Sequence, residues 1–197
     1  MIVKTKTKGN YTLQIWVDDF PENPREWDNL GTLYIPYPPR GYELSDDDAT
    51  EDAARTAPVK MSVYILDHSR IKISAVPFGD PWDSWTAGAY YVTADKIVKE
   101  YGNMNDAAIR QAFRVARTEL ETFAEYIEGN VYGYHITDHA GEMVYDSCAG
   151  YYGNDGIHQI EENFCNFVEY REKTGDYPLF AGIKNAWNCC SNSTPNA

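Results

Sequence analysis

The sequence has few basic residues and no long apolar run. It contains 17 Lys and Arg against 30 Asp and Glu, which gives a formal net charge of −13. Nucleic-acid backbones and anionic membrane surfaces are bound mainly through Lys and Arg, so this balance disfavours direct binding to either. No stretch approaches the roughly 18 uninterrupted apolar residues of a membrane-spanning helix. We therefore expect neither nucleic acid nor a membrane among the partners.

Cysteine is also scarce, and its placement does not indicate a disulfide framework. The four cysteines, Cys148, Cys165, Cys189 and Cys190, lie in the last quarter of the chain without a C-x-x-C spacing. The N-terminal residues lack an apolar run of signal-peptide length. These absences predict a cytoplasmic protein with free thiols. Residues 191–197 are polar, which predicts a flexible tail.

Signatures of catalysis are missing as well. The sequence contains no Walker A loop, dinucleotide-binding fingerprint, G-x-S-x-G elbow or deaminase signature. His135 and His139 are four residues apart, but they fall on a predicted strand and its turn rather than on a helix that would pair them as metal ligands. Cys148 has no protease signature around it and is interpreted as a small strand residue. We therefore assign no catalytic residue, no metal ligand and no cofactor.

Alternating and helical apolar patterns predict an α+β fold with an antiparallel sheet. Strands are predicted at residues 11–17, 33–35, 60–66, 70–77, 87–92, 130–137 and 142–152. Helices are predicted at residues 94–101, 105–128 and 157–172, the first of them between an N-cap at Thr93 and a stop at Gly102. The links between strands are mostly too short for parallel crossovers. We expect this sheet to pack with one long helix and one or two shorter ones in a single domain over residues 1–190.

Two local features sharpen this fold prediction. The helix at 105–128 has the clearest periodicity, with an inner face formed by Ile109, Phe113, Ala116, Leu120, Phe123 and Ile127. The sequence Gly153-Asn154-Asp155-Gly156 predicts a break in the chain before the last helix.

An acidic, proline-flanked loop is expected at about residues 36–58. Its central residues 43–52 contain six acidic side chains and no basic one. Such carboxylates can take the place of phosphates in a basic nucleic-acid groove, and this binding weakens as salt rises. Clustered aromatics at 82–91 and 151–152 are typical either of core packing or of a partner-binding face. The predicted partner-binding residues are Glu43, Asp46, Asp47, Asp48, Glu51, Asp52, Trp82 and Trp85.

Three segments carry a resemblance to a known family. Residues 27–32 read WDNLGT, residues 82–102 contain GAYYVTADKIVKEYG, and residues 131–153 end in DSCAGYYG. In this order they resemble an uncharacterised family of proteins encoded by bacteriophages and mobile elements, over about residues 11–170. The chain departs from the family pattern after Thr32, where LYIPYPPRGYELSDDD replaces a His- and Arg-containing stretch, and at Ala149, where the family has Trp. The family has no established reaction, so the resemblance implies no catalytic residue.

The resemblance implies a setting in a bacterial host cell, where small phage accessory proteins often act on host defence systems. Together with the charge of −13, it makes a non-enzymatic inhibitor of a host nuclease the leading hypothesis, with a CRISPR effector as the expected partner. One alternative is a protein that binds a small ligand such as a nucleotide signal, because Arg110, Arg114 and Arg117 recur along one helix face. A less favoured alternative is a hydrolase whose scattered Asp and His residues bind a metal.

Overall fold

The computed structural model describes residues 1–174, which form two compact units. Within the described residues, the first unit comprises residues 1–22 and 129–174, and the second comprises Asn23–Glu128. Each unit contains a four-stranded antiparallel sheet, so the predicted α+β class is confirmed, with two sheets where one was expected. The single domain over 1–190 and the tail at 191–197 stay predictions, because residues 175–197, with Cys189 and Cys190, lie outside the described residues.

The first unit is an antiparallel sheet with one long helix. Its elements are β1 Ile2–Lys8, β2 Tyr11–Val17, β7 Val131–Asp138, β8 Met143–Tyr152 and α4 Gly153–Thr174. The strand order is β1-β2-β7-β8, and each neighbouring pair is antiparallel. Strand β2 has the predicted limits, whereas β1 had no counterpart in the sequence prediction. Leu13 and Ile15 of β2 lie opposite Ile136 and Tyr134 of β7 and are fully buried.

Helix α4 covers this buried face and begins earlier than the sequence predicted. Residues 153–156 form its first turn instead of a break in the chain. The reason is a close approach, since a Cβ at Gly156 would lie 2.7 Å from the backbone carbonyl carbon of Tyr151. Only glycine lets the helix start this near the end of β8. Phe164, Phe167 and Val168 on α4 then pack into a core rich in aromatic side chains.

The second unit contains the other sheet and three helices. Its elements are a 3-10 turn at Pro24–Glu26, β3 Thr32–Tyr34, α1 Glu51–Thr56, β4 Val59–His68, β5 Arg70–Ser74, β6 Ser84–Val92, α2 Ala94–Tyr101 and α3 Asp106–Glu128. The strand order is β3-β6-β4-β5. The predicted 60–77 hairpin and the caps of α2 are confirmed, because the Thr93 side chain accepts a hydrogen bond from the Lys96 amide and the helix ends at Gly102.

Helix α3 packs against this sheet with most of its predicted face, because Ile109 and Ile127 contact the core and three other predicted residues are buried. The buried residues of the helix are Ala108, Ala112, Ala116, Leu120 and Phe123. Phe113 was predicted to point inward, but it is 42 % exposed. The row of alanines lets the N-terminal half of the helix lie close to its neighbours, which turns Phe113 outward.

No helix within residues 1–174 has both the length and the apolar character needed to cross a membrane.

Candidate functional site

The acidic segment 43–52 displays most of its carboxylates at the surface of the second unit. Glu43, Asp47, Asp48 and Glu51 are exposed, and none of the four forms an ion pair with any residue in the described range. Asp52 is also exposed but pairs with Arg55 one turn later in α1. Five of the six predicted acidic residues are therefore at the surface, and four keep their charge uncompensated by a neighbouring cation.

Asp46 is placed differently from the other five. Its carboxylate accepts hydrogen bonds from Nε (3.1 Å) and Nη2 of Arg25 and from the Leu33 backbone amide (2.8 Å). The side chains of Arg25 and Asp46 are only 9 % and 19 % exposed. The sequence suggested a contact with a partner here, whereas the structure uses this carboxylate to hold Arg25 and the start of β3.

The Arg25 guanidinium makes further contacts inside the unit. It lies over the Tyr90 ring at 4.9 Å, donates to the Tyr90 hydroxyl, and donates to the Gly31 carbonyl at 3.0 Å. Burial alone lowers the pKa of Arg25, but the hydrogen bond and charge of Asp46 outweigh this effect and raise the pKa above its usual value. Arg25 is therefore a permanently charged group that is paired on several sides.

Glu119 of α3 completes the same network. Its carboxylate accepts hydrogen bonds from the amides of Leu30 (2.7 Å) and Gly31 (2.9 Å) and from the Tyr90 hydroxyl (2.9 Å). Burial, together with Glu119, raises the pKa of Tyr90 well above its usual range, so the hydroxyl stays protonated and can donate. Tyr90 is fully buried and the three charged residues are partly buried. We call Arg25, Asp46, Tyr90 and Glu119 the buried polar network.

The buried polar network explains why the WDNLGT segment has glycine at position 31. A Cβ at Gly31 would lie 2.0 Å from Cε1 of Tyr90, so only glycine fits between the loop and the ring. Thr32 is buried and accepts a hydrogen bond from Nζ of Lys96 at 2.9 Å. The motif therefore ties residues 27–32 to the sheet and to α3. Arg25 and Glu119 could not be predicted from the sequence, because neither stands in a recognisable motif.

Several hydrogen bonds fasten the acidic segment to the sheet. The Ser45 hydroxyl accepts from the Ile35 amide (2.7 Å) and donates to its carbonyl (3.0 Å). The Asp46 amide donates to the Leu33 carbonyl (2.9 Å), and the Thr50 amide donates to the Tyr91 hydroxyl (3.3 Å). The exposed carboxylates thus stand on a backbone that is attached at three places.

The two predicted tryptophans have different surroundings. Trp85 is partly buried and packs against the core of the second unit, whereas Trp82 is 90 % exposed. Trp82 lies on a turn in which the Asp80 carboxylate accepts from the amides of Trp82 (2.8 Å) and Asp83 (3.0 Å). These hydrogen bonds lower the pKa of Asp80, and the hydrogen bond that the His68 ring donates to the Asp83 carboxylate raises the pKa of His68 at the surface. Trp82 is therefore an exposed aromatic side chain on an ordered turn.

The side chains considered for metal binding are not brought together. His135 contacts Gln14 at 2.9 Å between Nε2 and Oε1, and its ring lies beside Trp16. The Sγ atom of Cys148 accepts a hydrogen bond from the Tyr151 hydroxyl at 3.7 Å. Within residues 1–174 there is no group of three or more His, Cys, Asp or Glu side chains that could hold a metal ion.

A groove of about 530 Å³ lies between residues 24–29 and one face of α3. Trp27 and Asn29 line it on one side, and Gln111, Arg114, Val115 and Thr118 line it on the other. Glu119 of the buried polar network also borders this groove. All of these residues belong to the second unit.

No protein-family model, curated protein or solved structure matches this chain. The candidate sites therefore rest on their geometry alone.

Proposed function

We propose that this chain is a phage-encoded anti-defence protein that inhibits a host nuclease, with a CRISPR effector as the first expected target. In this proposal, an acidic surface occupies the groove in which the nuclease binds nucleic acid. The observation that carries it is the acidic segment, in which four carboxylates are exposed without an ion-pair partner in the described range.

The anchoring of the segment supports this proposal. Ordering a flexible acidic loop on binding costs free energy, and a loop that is held in advance avoids part of that cost. Here Ser45 attaches the segment to Ile35 just after β3, Asp46 attaches it to Leu33 of β3, and Thr50 attaches it to β6. Carboxylates on such a backbone meet a row of Lys and Arg side chains with little rearrangement. Their long-range attraction also speeds encounter with a basic surface.

Trp82 is the second part of the surface that we expect to contact the nuclease. Exposed Trp side chains are frequent centres of binding energy in protein interfaces. Its ring is almost wholly exposed, while its backbone amide is held by Asp80. We propose that Trp82 packs into an apolar pocket of the nuclease, while the acidic segment provides the electrostatic contact. Trp85, which packs against the core, is left as a structural residue.

The test compares two variants with the same change in total charge. The first replaces the four exposed acidic residues of the segment by amides: Glu43→Gln, Asp47→Asn, Asp48→Asn and Glu51→Gln. The second makes the matched change in the other unit: Asp19→Asn, Glu142→Gln, Asp155→Asn and Glu162→Gln, all of them exposed. Asp46 is kept in both variants because it belongs to the buried polar network. The measurement is DNA cleavage by a panel of purified guide-loaded nucleases and restriction enzymes, with each protein added.

We expect the unchanged protein to inhibit at least one nuclease, and the inhibition to fall as salt rises from about 50 to about 300 mM. The segment variant should inhibit at least about tenfold more weakly, since each lost contact contributes a fraction of a kcal/mol or more. The matched control should stay within about twofold of the unchanged protein. Equal loss in both variants would show that only total charge matters, and no inhibition of any nuclease would contradict the proposal.

A further inference from the structure

The groove beside Trp27 has no role in the proposed inhibition of a nuclease. Its volume of about 530 Å³ lies within the range of small-molecule sites, roughly 300–1,000 Å³. None of the nine residues that line it belongs to the acidic segment, so binding there does not require that segment.

The wall that carries Trp27 is held in place by hydrogen bonds. The Asn29 side-chain amide donates to the carbonyls of Pro24 (2.8 Å) and Trp27 (3.0 Å). The next two amides, of Leu30 and Gly31, donate to the Glu119 carboxylate of α3. The same carboxylate therefore connects both walls of the groove. A ligand that enters it meets a preformed site and pays little for ordering the protein.

The wall formed by α3 offers one cation and a mostly apolar surface. Thr118 donates its hydroxyl to the Arg114 carbonyl (3.2 Å), so this hydroxyl hydrogen is already used inside the helix. Val115 is apolar and partly buried. Arg114 is exposed and donates to the Gln111 side chain, but it pairs with no carboxylate in the described range. Opposite them, the Trp27 ring is about two-fifths exposed (39 %).

These surroundings favour a flat ring with a negative charge. The Trp27 indole and the Val115 side chain can pack against an aromatic ring, and a pair of aromatic rings is stabilised beyond the effect of the area it buries. An arginine accepts a carboxylate, sulfonate or phosphate through parallel hydrogen bonds. Among the described residues that line the groove, Glu119 carries the one carboxylate. It already accepts three hydrogen bonds, which reduces its repulsion of an anion.

We infer that the groove binds a small flat organic anion, whose ring packs between Trp27 and Val115 and whose charged group pairs with Arg114. Mononucleotides and aromatic carboxylates both have this chemistry.

The experiment uses two probes that share a ring and differ in charge. Naphthalene-2-carboxylate and 2-naphthylmethylammonium are titrated separately into the full-length protein, and adenosine monophosphate is titrated as a third probe. Binding is followed by the NMR signals of the Trp27 indole N–H and of the backbone amides of residues 24–31 and 111–119. The variants are Arg114→Gln and Trp27→Leu. Arg110→Gln is the matched control, because it removes an equivalent exposed charge from the same helix outside the groove lining.

We expect the carboxylate to shift these signals in a saturable manner and the ammonium probe not to do so. Arg114→Gln should weaken binding at least about fivefold, and Trp27→Leu at least about threefold, while Arg110→Gln changes it by less than about twofold. Saturable binding by adenosine monophosphate would identify nucleotides as members of the ligand class, and its failure beside carboxylate binding would restrict the class to aromatic carboxylates. Equal binding of both naphthalene probes, equal loss in Arg110→Gln and Arg114→Gln, or no saturation up to about 5 mM, a level at which even weak sites fill, would overturn the inference. Variants are compared only where their amide spectra match the unchanged protein outside the groove.

Discussion

Both units pack a long helix against a four-stranded antiparallel sheet, but they place their charged side chains differently. In the first unit, Lys4, Lys6 and Lys8 of β1 pair with Glu161 and Glu169 of α4 near the surface. In the second unit, the Arg25 side chain is only 9 % exposed, and the carboxylates of Asp46 and Glu119 accept hydrogen bonds from backbone amides of residues 30–33. These partly buried charges hold the backbone of residues 30–33, whereas the lysine pairs of the first unit border a core that apolar packing already defines.

This difference bears on where function is to be sought. Both candidate surfaces, the acidic segment and the groove, lie in the second unit and are attached to the buried polar network. Asp46 belongs to the acidic segment, and Glu119 borders the groove. A change in the network should therefore disturb both surfaces, while a change in the surface pairs of the first unit should disturb neither.

The largest loss of folding stability is expected from Arg25→Met. Removing one partner of a buried ion pair leaves the other charge uncompensated, which typically costs about 3–5 kcal/mol. The Gly31 carbonyl would lose the hydrogen bond from Arg25, and the Asp46 carboxylate would keep only that from the Leu33 amide among its described hydrogen bonds. Amide hydrogen exchange should show faster exchange in β3, β4 and β6, with little change in β2 and β7.

The matched control is Lys6→Met, which removes a partly exposed partner of Glu161. Its expected cost is below about 1 kcal/mol. A similar small loss for Arg25→Met would show that the buried polar network does not stabilise the second unit.

A smaller loss of folding stability is expected from Gly31→Ala. The new methyl group would meet the Tyr90 ring, whose hydroxyl is held by both Arg25 and Glu119, so the ring cannot move away. Overpacking of this kind costs about 1–3 kcal/mol. Urea unfolding followed by residue-resolved NMR measures the loss.

Gly133→Ala in the first unit provides the comparison. Its Cβ would lie 2.7 Å from the Trp16 ring, which is only partly buried and has room to shift. We expect a smaller loss than at Gly31. Equal losses would contradict the view that the hydrogen bonds of Tyr90 fix its ring.

The smallest loss of folding stability is expected from Glu161→Gln, and the size of this loss should depend on pH. Hydrogen bonds from Lys4 and Lys6 lower the pKa of Glu161 below its ordinary value of about 4.5. Because the folded-state pKa is the lower one, the pair stabilises the fold above about pH 4.5, and this stabilisation is lost as pH falls through the folded pKa. For a pair this close to solvent we expect less than about 1 kcal/mol at neutral pH.

The measurement is the difference in urea midpoint between Glu161→Gln and the unchanged protein, from pH 7 down to pH 3. A difference that grows as the pH falls would have the opposite sign and would contradict the assignment of this pair.

Local patterns predicted much of the fold correctly. Strand β2, the β4–β5 hairpin and helices α2 and α3 were found from alternation, helical spacing and caps, because these signals act between residues close in sequence. Strand β1 was missed, since its lysine-rich sequence becomes a strand through pairing with β2 and through glutamates on the distant α4. The outward turn of Phe113 was also missed, because helical spacing alone does not say which of two neighbouring faces lies closer to the sheet.

The candidate sites were less predictable than the fold. The acidic segment was evident from composition, and five of its six carboxylates lie at the surface. Asp46 could not be told apart from its neighbours, because its partner Arg25 is 21 residues away and Leu33 is 13 residues away. The groove combines residues about 90 positions apart, and no local pattern joins Trp27 to Arg114.

The sequence by itself therefore determined the α+β class, the acidic surface and the positions of most helices and strands, because each depends on composition or on near neighbours. The tertiary structure alone decided the division into two sheets, the hydrogen-bond partners of Arg25 and Glu119, and the groove beside Trp27. These features depend on free energies that arise only when distant segments meet. Burying a charge is costly until its partners arrive, and a close contact such as Gly31 against Tyr90 has no counterpart in local propensity.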